Sequence, residues 1–182
     1  MVLDIAAVVL ALLWGVVGYY VGVIKQGSRI IPILVGGFLG WVTAGPLAGF
    51  VLRMTTHTEP ETAVGGSFLG VFLVGFVITW VAVGRLTSDI SDADDRGQLD
   101  RFLGFAVGGA AGLVMAFVVT VGLLSVTEGS GKPRLDYGAS RMGRLALERD
   151  FLAAATDKVV AAEEERTGEK LRGFERSDWD AE

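Results

Sequence analysis

Four long windows without a charged residue constrain this chain more than any other feature. Each is at least as long as the roughly 20 apolar residues that a helix, rising about 1.5 Å per residue, needs to cross a bilayer. Hydrocarbon offers the backbone no hydrogen-bond partners, so each window must form a helix. The uncharged windows run from Ile5 to Ile24, from Ile30 to Leu52, from Thr62 to Gly84 and from Phe102 to Thr127. They predict four transmembrane helices, at about residues 3–24, 30–52, 63–84 and 102–127 of a transmembrane domain over residues 1–127.

The alternative, a soluble protein with buried helices, conflicts with the same windows. Buried helices of soluble proteins carry polar faces at helical spacing, and none of these windows holds a charge. Of the whole chain, 51% is apolar, with 26 glycines among its 182 residues. The start, "MVLDIAAV", lacks the basic residues of a cleaved signal peptide. The predicted fold class is an all-α membrane protein.

Residues 128–182 form a polar tail. The breaker run "GSGKPR" ends the fourth span, and Ser140 is a candidate N-cap for an amphipathic helix over about residues 140–165. The remaining tail is polar throughout and is predicted to be disordered. The amphipathic helix is expected to lie on the bilayer surface or on the helix bundle, or to dock a partner.

The orientation of the protein in the membrane is predicted from the charges of the first loop. The basic residues near the membrane divide equally between the two sides, but Lys25 and Arg29 follow the first span and none precedes it. The positive-inside rule therefore predicts that this loop is cytoplasmic and that both termini are extracytoplasmic.

Small residues recur every fourth position in all four spans. Helices in lipid associate where small residues let their backbones approach, so these positions predict packing sites. Packing within the chain is the favoured interpretation for most of them, and a homo-oligomer interface is the alternative. The principal candidates are Gly36, Gly40, Gly104, Gly108 and Gly112.

Two tryptophans, Trp14 and Trp41, lie near the centres of their spans, whereas tryptophans usually occupy the interface. We expect them to fill volume opposite glycines. A buried indole N–H needs an acceptor, and Thr43 or a carbonyl freed by Pro46 is the predicted one for Trp41.

Three charged residues mark the predicted membrane edges: Asp4, Asp100 and Arg101. Adjacent residues on a helix point about 100° apart, so Asp100 and Arg101 do not simply pair with each other. Arg101 is expected to reach the headgroups. Asp100 is expected to complement the helix dipole or to reach a neighbouring span.

Nothing in the sequence indicates an enzyme. There is no cysteine, and the one histidine, His57, stands near two glutamates without a second ligand at metal-binding spacing. The acidic run "DADDRG" at 92–97 places Arg96 where a calcium loop needs an oxygen ligand. No basic stripe points to nucleic acid. We therefore predict no cofactor, no metal and no nucleic-acid partner.

One resemblance covers nearly the whole chain. The opening "LDIAAVVLALLWGVVGYYVGVIKQ", the helix entrance "LDRFLG" at 99–104 and the serine-led "SRMGRLAL" at 140–147 are similar to the colicin V production (CvpA) family of bacterial inner-membrane proteins. The resemblance implies an inner-membrane protein tied to bacteriocin production or export and to envelope maintenance. Some relatives carry an outer serine protease domain, which this chain lacks.

The sequence is therefore consistent with two functions. The first is a non-enzymatic scaffold or accessory in bacteriocin or toxin production or export, with an envelope or export protein as its partner. The second is a small self-associating channel or transporter for ions or small solutes. No span carries an ionisable residue between its ends, which disfavours proton coupling but leaves an uncharged pore open.

Overall fold

The computed structural model describes residues 2–55, 58–86, 98–124, 140–149 and 151–168, and every element in this part of the chain is helical. Four helices are long and apolar enough to cross a membrane, so the predicted all-α, four-span membrane fold is confirmed. The helices are α1 (Val2–Val21), α2 (Val23–Ser28), α3 (Ile30–Met54), α4 (Pro60–Leu86), α5 (Gln98–Leu124), α6 (Arg141–Glu148) and α7 (Ala153–Thr167).

The first span ends earlier than its uncharged window suggests. Gly22 has φ 84° and interrupts the helix between α1 and α2. Only glycine adopts this conformation without strain, so the predicted end at residue 24 moves to Val21. The break lets the chain reverse through the short α2 into α3.

The four spans form two closely packed antiparallel pairs, α1 with α5 and α3 with α4. In the first pair, Gly18 and Gly104 stand backbone to backbone: a Cβ on either would collide with the other's carbonyl oxygen. In the second pair, a Cβ on Gly36 would lie 2.8 Å from the carbonyl oxygen of Phe72. Backbones this close gain dispersion contacts that lipid cannot supply.

An aromatic row on α4 lies between the two pairs. Its rings repeat every fourth residue and stack along the helix, with centroids 5.4–6.1 Å apart. Trp14 of α1 packs against the last two, 6.5 Å from Phe76 and 5.5 Å from Trp80. The aromatic row consists of Phe68, Phe72, Phe76 and Trp80.

The segment predicted as one amphipathic helix over 140–165 is two helices, α6 and α7. The break follows Arg149, and Phe151 and Leu152 form a turn before α7 begins. Both helices pack on the spans, and the turn reaches the bundle interior: Phe151 lies 5.4 Å from Phe68 and 6.4 Å from Phe117, centroid to centroid. Since Phe68 is eight residues into α4, the turn lies about 12 Å inside the end of that span.

Burial of apolar side chains explains why the segment breaks there. Leu152 is fully buried and Phe151 partly buried among residues of α3, α4 and α5. A continuous helix would carry these side chains past the cluster instead of into it. The predicted disorder of the remaining tail, from residue 169 onwards, falls outside the described residues.

Candidate functional sites in the membrane domain

Asp100 joins two helices at the membrane edge. Its Oδ1 accepts a hydrogen bond of 3.2 Å from the backbone N–H of Val23, the first residue of α2. The break at Gly22 removes the partner that this N–H would find in a continuous helix. Asp100 thus supplies the missing acceptor from the first turn of α5, whereas the side chain of Arg101 is exposed.

Asp4 makes the equivalent connection at the other membrane edge. Its carboxylate accepts hydrogen bonds from the backbone N–H groups of Arg141, at 3.2 Å, and Met142, at 2.9 Å. The same helix start has the predicted N-cap, because Ser140 Oγ accepts from the N–H of Gly143 at 2.8 Å. Asp4 therefore ties the first span to α6.

The predicted packing glycines divide between the two helix pairs. Gly104, Gly108 and Gly112 face the backbone of α1, and a Cβ on Gly112 would lie 2.7 Å from the carbonyl oxygen of Leu10. Gly36 and Gly40 face α4 in the same manner. These five glycines are thus inside the chain's own helix pairs.

The two tryptophans also have defined neighbours. Trp14 packs on the aromatic row and places its carbonyl oxygen against Gly108. The acceptor predicted for Trp41 is wrong: its Nε1–H donates to the carbonyl oxygen of Phe151, at 3.1 Å. Thr43 instead donates to the carbonyl of Leu39 in its own helix. Sequence spacing does not show that a distant turn reaches this depth.

Gln26 is the most deeply buried polar side chain outside the predicted set. It is 0% exposed, and neither its Oε1 nor its Nε2 has a hydrogen-bond partner in the part of the chain that the structure describes. The side chain extends from α2 into the α1–α5 pair, beside Gly18 and Gly108. An unpartnered amide at this position is costly and calls for an occupant such as water or a solute.

A long groove, here the α3–α4 groove, opens on the outward-facing side of the pair formed by α3 and α4. It has a volume of about 610 Å³ and runs along α4 from Thr62 to Ile78. Gly66 and Gly70 form its floor, and a Cβ on either would meet no atom within 4 Å. Ser67, 6% exposed, lines the groove with an unpartnered Oγ.

A smaller cavity of about 310 Å³, here the α3–α7 cavity, lies between α3 and α7. Three basic side chains and one carboxylate line it: Arg53, Lys158, Arg166 and Glu163. Glu163 is hydrogen-bonded to Arg166, which holds the pKa of the Glu163 carboxyl below its usual range. The carboxylate is therefore already paired, and the lining carries a net positive charge.

Three features of these sites differ in how far the sequence alone could predict them. The aromatic row was readable, because its members repeat every fourth residue of α4. Gln26 was readable as a polar residue next to the first span, but its burial depends on the break at Gly22. The α3–α7 cavity was not readable, since its parts are more than 100 residues apart.

The weak metal candidates gain no support. Within the described ranges, no group of three or more acidic, histidine or cysteine residues is placed to hold a metal ion. His57 and the acidic run at 92–97 lie outside the described residues.

Comparison with known proteins gives one match. The family model described as "Colicin V production protein" matches residues 3–143, which include all four spans and the start of α6. No curated protein and no solved structure matches the chain. The matched region contains both aspartate contacts and all five predicted packing glycines. This four-span, multi-pass membrane chain therefore belongs to the colicin V production protein family.

Proposed function

We propose that this protein is a non-enzymatic inner-membrane scaffold or accessory in colicin V production or export and in envelope maintenance. Its family membership supports a role in colicin V production. We further propose that it acts by docking a transmembrane helix of an envelope or export partner in the α3–α4 groove.

The observation that carries the proposal is the opposite character of the two faces of α4. The aromatic row faces the chain's own helices, whereas Gly66 and Gly70 face outward and a Cβ on either would meet no atom of the described residues within 4 Å. Small residues spaced by four are the usual contact surface for a second helix in lipid. The unpartnered Ser67 hydroxyl adds a donor that a close helix backbone would satisfy.

The length of the groove favours a helix over a lipid chain. Thr62 and Ile78 are 16 residues apart, or about 24 Å along the helix axis. The hydrocarbon core is about 30 Å thick, so one leaflet offers only about half of that depth. A transmembrane helix contacts the whole groove.

Photo-crosslinking in membranes tests the docking. We expect a photoreactive residue at Leu73, on the outward part of α4, to crosslink an envelope protein. Gly66→Leu and Gly70→Leu are expected to abolish the adduct, because each fills the groove. Gly37→Leu is the matched control, since it too has open space on a span. An adduct that survives both groove substitutions contradicts the proposal, and an adduct between two copies of this chain replaces the partner with a homo-oligomer.

Orientation is part of the proposal. Lys25 and Arg29, after the first span, favour a cytoplasmic first loop and extracytoplasmic termini. Asp4 and the start of α6 then lie on the outer side, and Asp100 on the cytoplasmic side.

A small channel or transporter is the second candidate, and Gln26 favours it. A buried amide with two unpartnered atoms offers a binding group to water or a small polar solute. Flux through reconstituted wild-type protein that Gln26→Leu reduces would favour this candidate. Absence of flux from the folded wild-type protein would count against it.

A further inference from the structure

The α3–α7 cavity combines positive charge at the membrane edge with an apolar, glycine-containing inner wall. Arg53 ends α3 at the membrane edge, and Lys158 and Arg166 approach from α7. Deeper along α3, the wall is formed by Gly45, Pro46, Gly49 and Leu52.

The charges in this cavity are only partly balanced. Glu163 pairs with Arg166 and also attracts the nearby Arg53, but neither Arg53 nor Lys158 has an ion-pair partner among the described residues. A lysine or arginine near the membrane surface attracts anionic headgroups. Two such cations beside one cavity therefore favour an anion between them.

The inner wall indicates which kind of molecule carries the anionic group. A Cβ on Gly49 would meet no atom within 4 Å, and one on Gly45 would meet only Val159, at 3.9 Å. From Arg53 to Gly45 is eight residues, or about 12 Å. This depth lies within one leaflet, about half of a 30 Å hydrocarbon core, and so matches a lipid chain rather than a helix.

From this geometry we propose that the α3–α7 cavity binds one anionic phospholipid, with its phosphate between Arg53 and Lys158 and an acyl chain along Gly49 and Gly45. The α7 side of the cavity, with Lys158, Glu163 and Arg166, lies beyond the residues matched by the family model, whereas its α3 side lies within them. The assignment is independent of the α3–α4 groove.

Native mass spectrometry of the full chain in mild detergent tests the site. The probes are phosphatidylglycerol and phosphatidylcholine with identical acyl chains. We expect a bound phosphatidylglycerol to survive at energies that remove phosphatidylcholine. The double variant Arg53→Gln with Lys158→Gln should weaken phosphatidylglycerol binding about thirtyfold, since two surface cations are lost. Arg144→Gln with Arg149→Gln, two exposed arginines that do not line the cavity, is the charge-matched control and should leave binding unchanged.

A second pair of variants tests the acyl chain separately. Gly49→Leu should reduce phosphatidylglycerol binding, whereas Gly37→Leu, on the same helix with the same open space, should not. Equal retention of the two lipids, or full binding by the folded double variant, would overturn the assignment. Displacement of the lipid by excess inorganic phosphate alone would also overturn it and identify a site for free phosphate. Crosslinking at the α3–α4 groove should be unaffected in all these variants.

Discussion

At the scale of single residues, the backbone of this protein is held by contacts that leave no room for a side chain. Gly104 and Gly108 each bring α5 against a carbonyl oxygen of α1, at Gly18 and Trp14. Gly109, next to Gly108 in the sequence, faces Ala11 at an ordinary distance of 3.6 Å. Neighbouring glycines on one helix therefore have very different tolerance to substitution.

Gly104→Ala is expected to separate α1 from α5 and to lower stability by about 1–3 kcal/mol, the usual cost of overpacking. Thermal unfolding in detergent, followed by tryptophan fluorescence, measures the loss. Gly109→Ala is the control and should unfold at the wild-type temperature. Equal melting temperatures for both variants would contradict the close approach of Gly18 and Gly104.

Asp100→Asn is expected to disturb assembly more than Arg101→Lys. A charge-assisted hydrogen bond is roughly twice as strong as a neutral one, and Asn keeps the shape but loses the charge at Val23. Arg101 is exposed and Lys preserves its charge. Membrane levels and melting temperatures of the two variants provide the comparison; if they are the same, the role assigned to Asp100 is refuted.

At the scale of elements, α6 and α7 behave as a hairpin inserted into the bundle. The backbone N–H of Met142 donates to Asp4 and fixes the start of the hairpin. The indole N–H of Trp41 donates to the carbonyl oxygen of Phe151 and fixes the turn. Phe151 packs between α4 and α5. All of these contacts are made with spans that precede the hairpin in the chain.

Phe151→Ala is expected to loosen the hairpin, because truncating a packed phenylalanine costs about 3–5 kcal/mol. Hydrogen exchange of the full chain should then increase across α6 and α7 but not in α3 or α4. Leu145→Ala, at a 45% exposed position, is the control. Faster exchange throughout all the spans, or no change in the hairpin, would argue against this local role.

The number and order of the spans could be predicted from the sequence, because each span is a local uncharged window, whereas the end of the first span depends on the backbone break at Gly22. The N-cap at Ser140 was equally local. The turn at Phe151 could not be predicted, since its depth depends on Phe68 and Phe117 in distant helices. The partners of Asp4 and Asp100 were also out of reach, because each lies more than 70 residues away in the chain.

At the scale of the whole molecule, one end of the bundle carries Asp4, the start of α4 and the hairpin, and the other carries Asp100 and α2. The backbone break at Gly22 separates α1, which pairs with α5, from α3, which pairs with α4. The aromatic row and Trp14 then join the pairs. Each end is therefore closed by one aspartate that accepts from the start of a neighbouring helix.

The proposed orientation predicts which end is accessible from outside. The chain has no cysteine, so single substitutions report their own positions. Thr55→Cys, after α3, is expected to react with a membrane-impermeant maleimide in intact cells whose outer membrane has been permeabilised. Ser28→Cys, at the end of α2, should react only after the inner membrane is also opened. The reverse pattern would invert the topology.

The hairpin also sets an order of events during synthesis. The ribosome makes α3, α4 and α5 before α6 and α7, so the surfaces of Phe68 and Phe117 that Phe151 covers are open to lipid or to an insertion factor until the turn at Phe151 arrives. The spans can therefore be threaded through the membrane well before the bundle is complete. The last step of folding is then the entry of the α6–α7 hairpin into the membrane, which it does not cross. A protease or chaperone that recognises the incomplete bundle would act before this step.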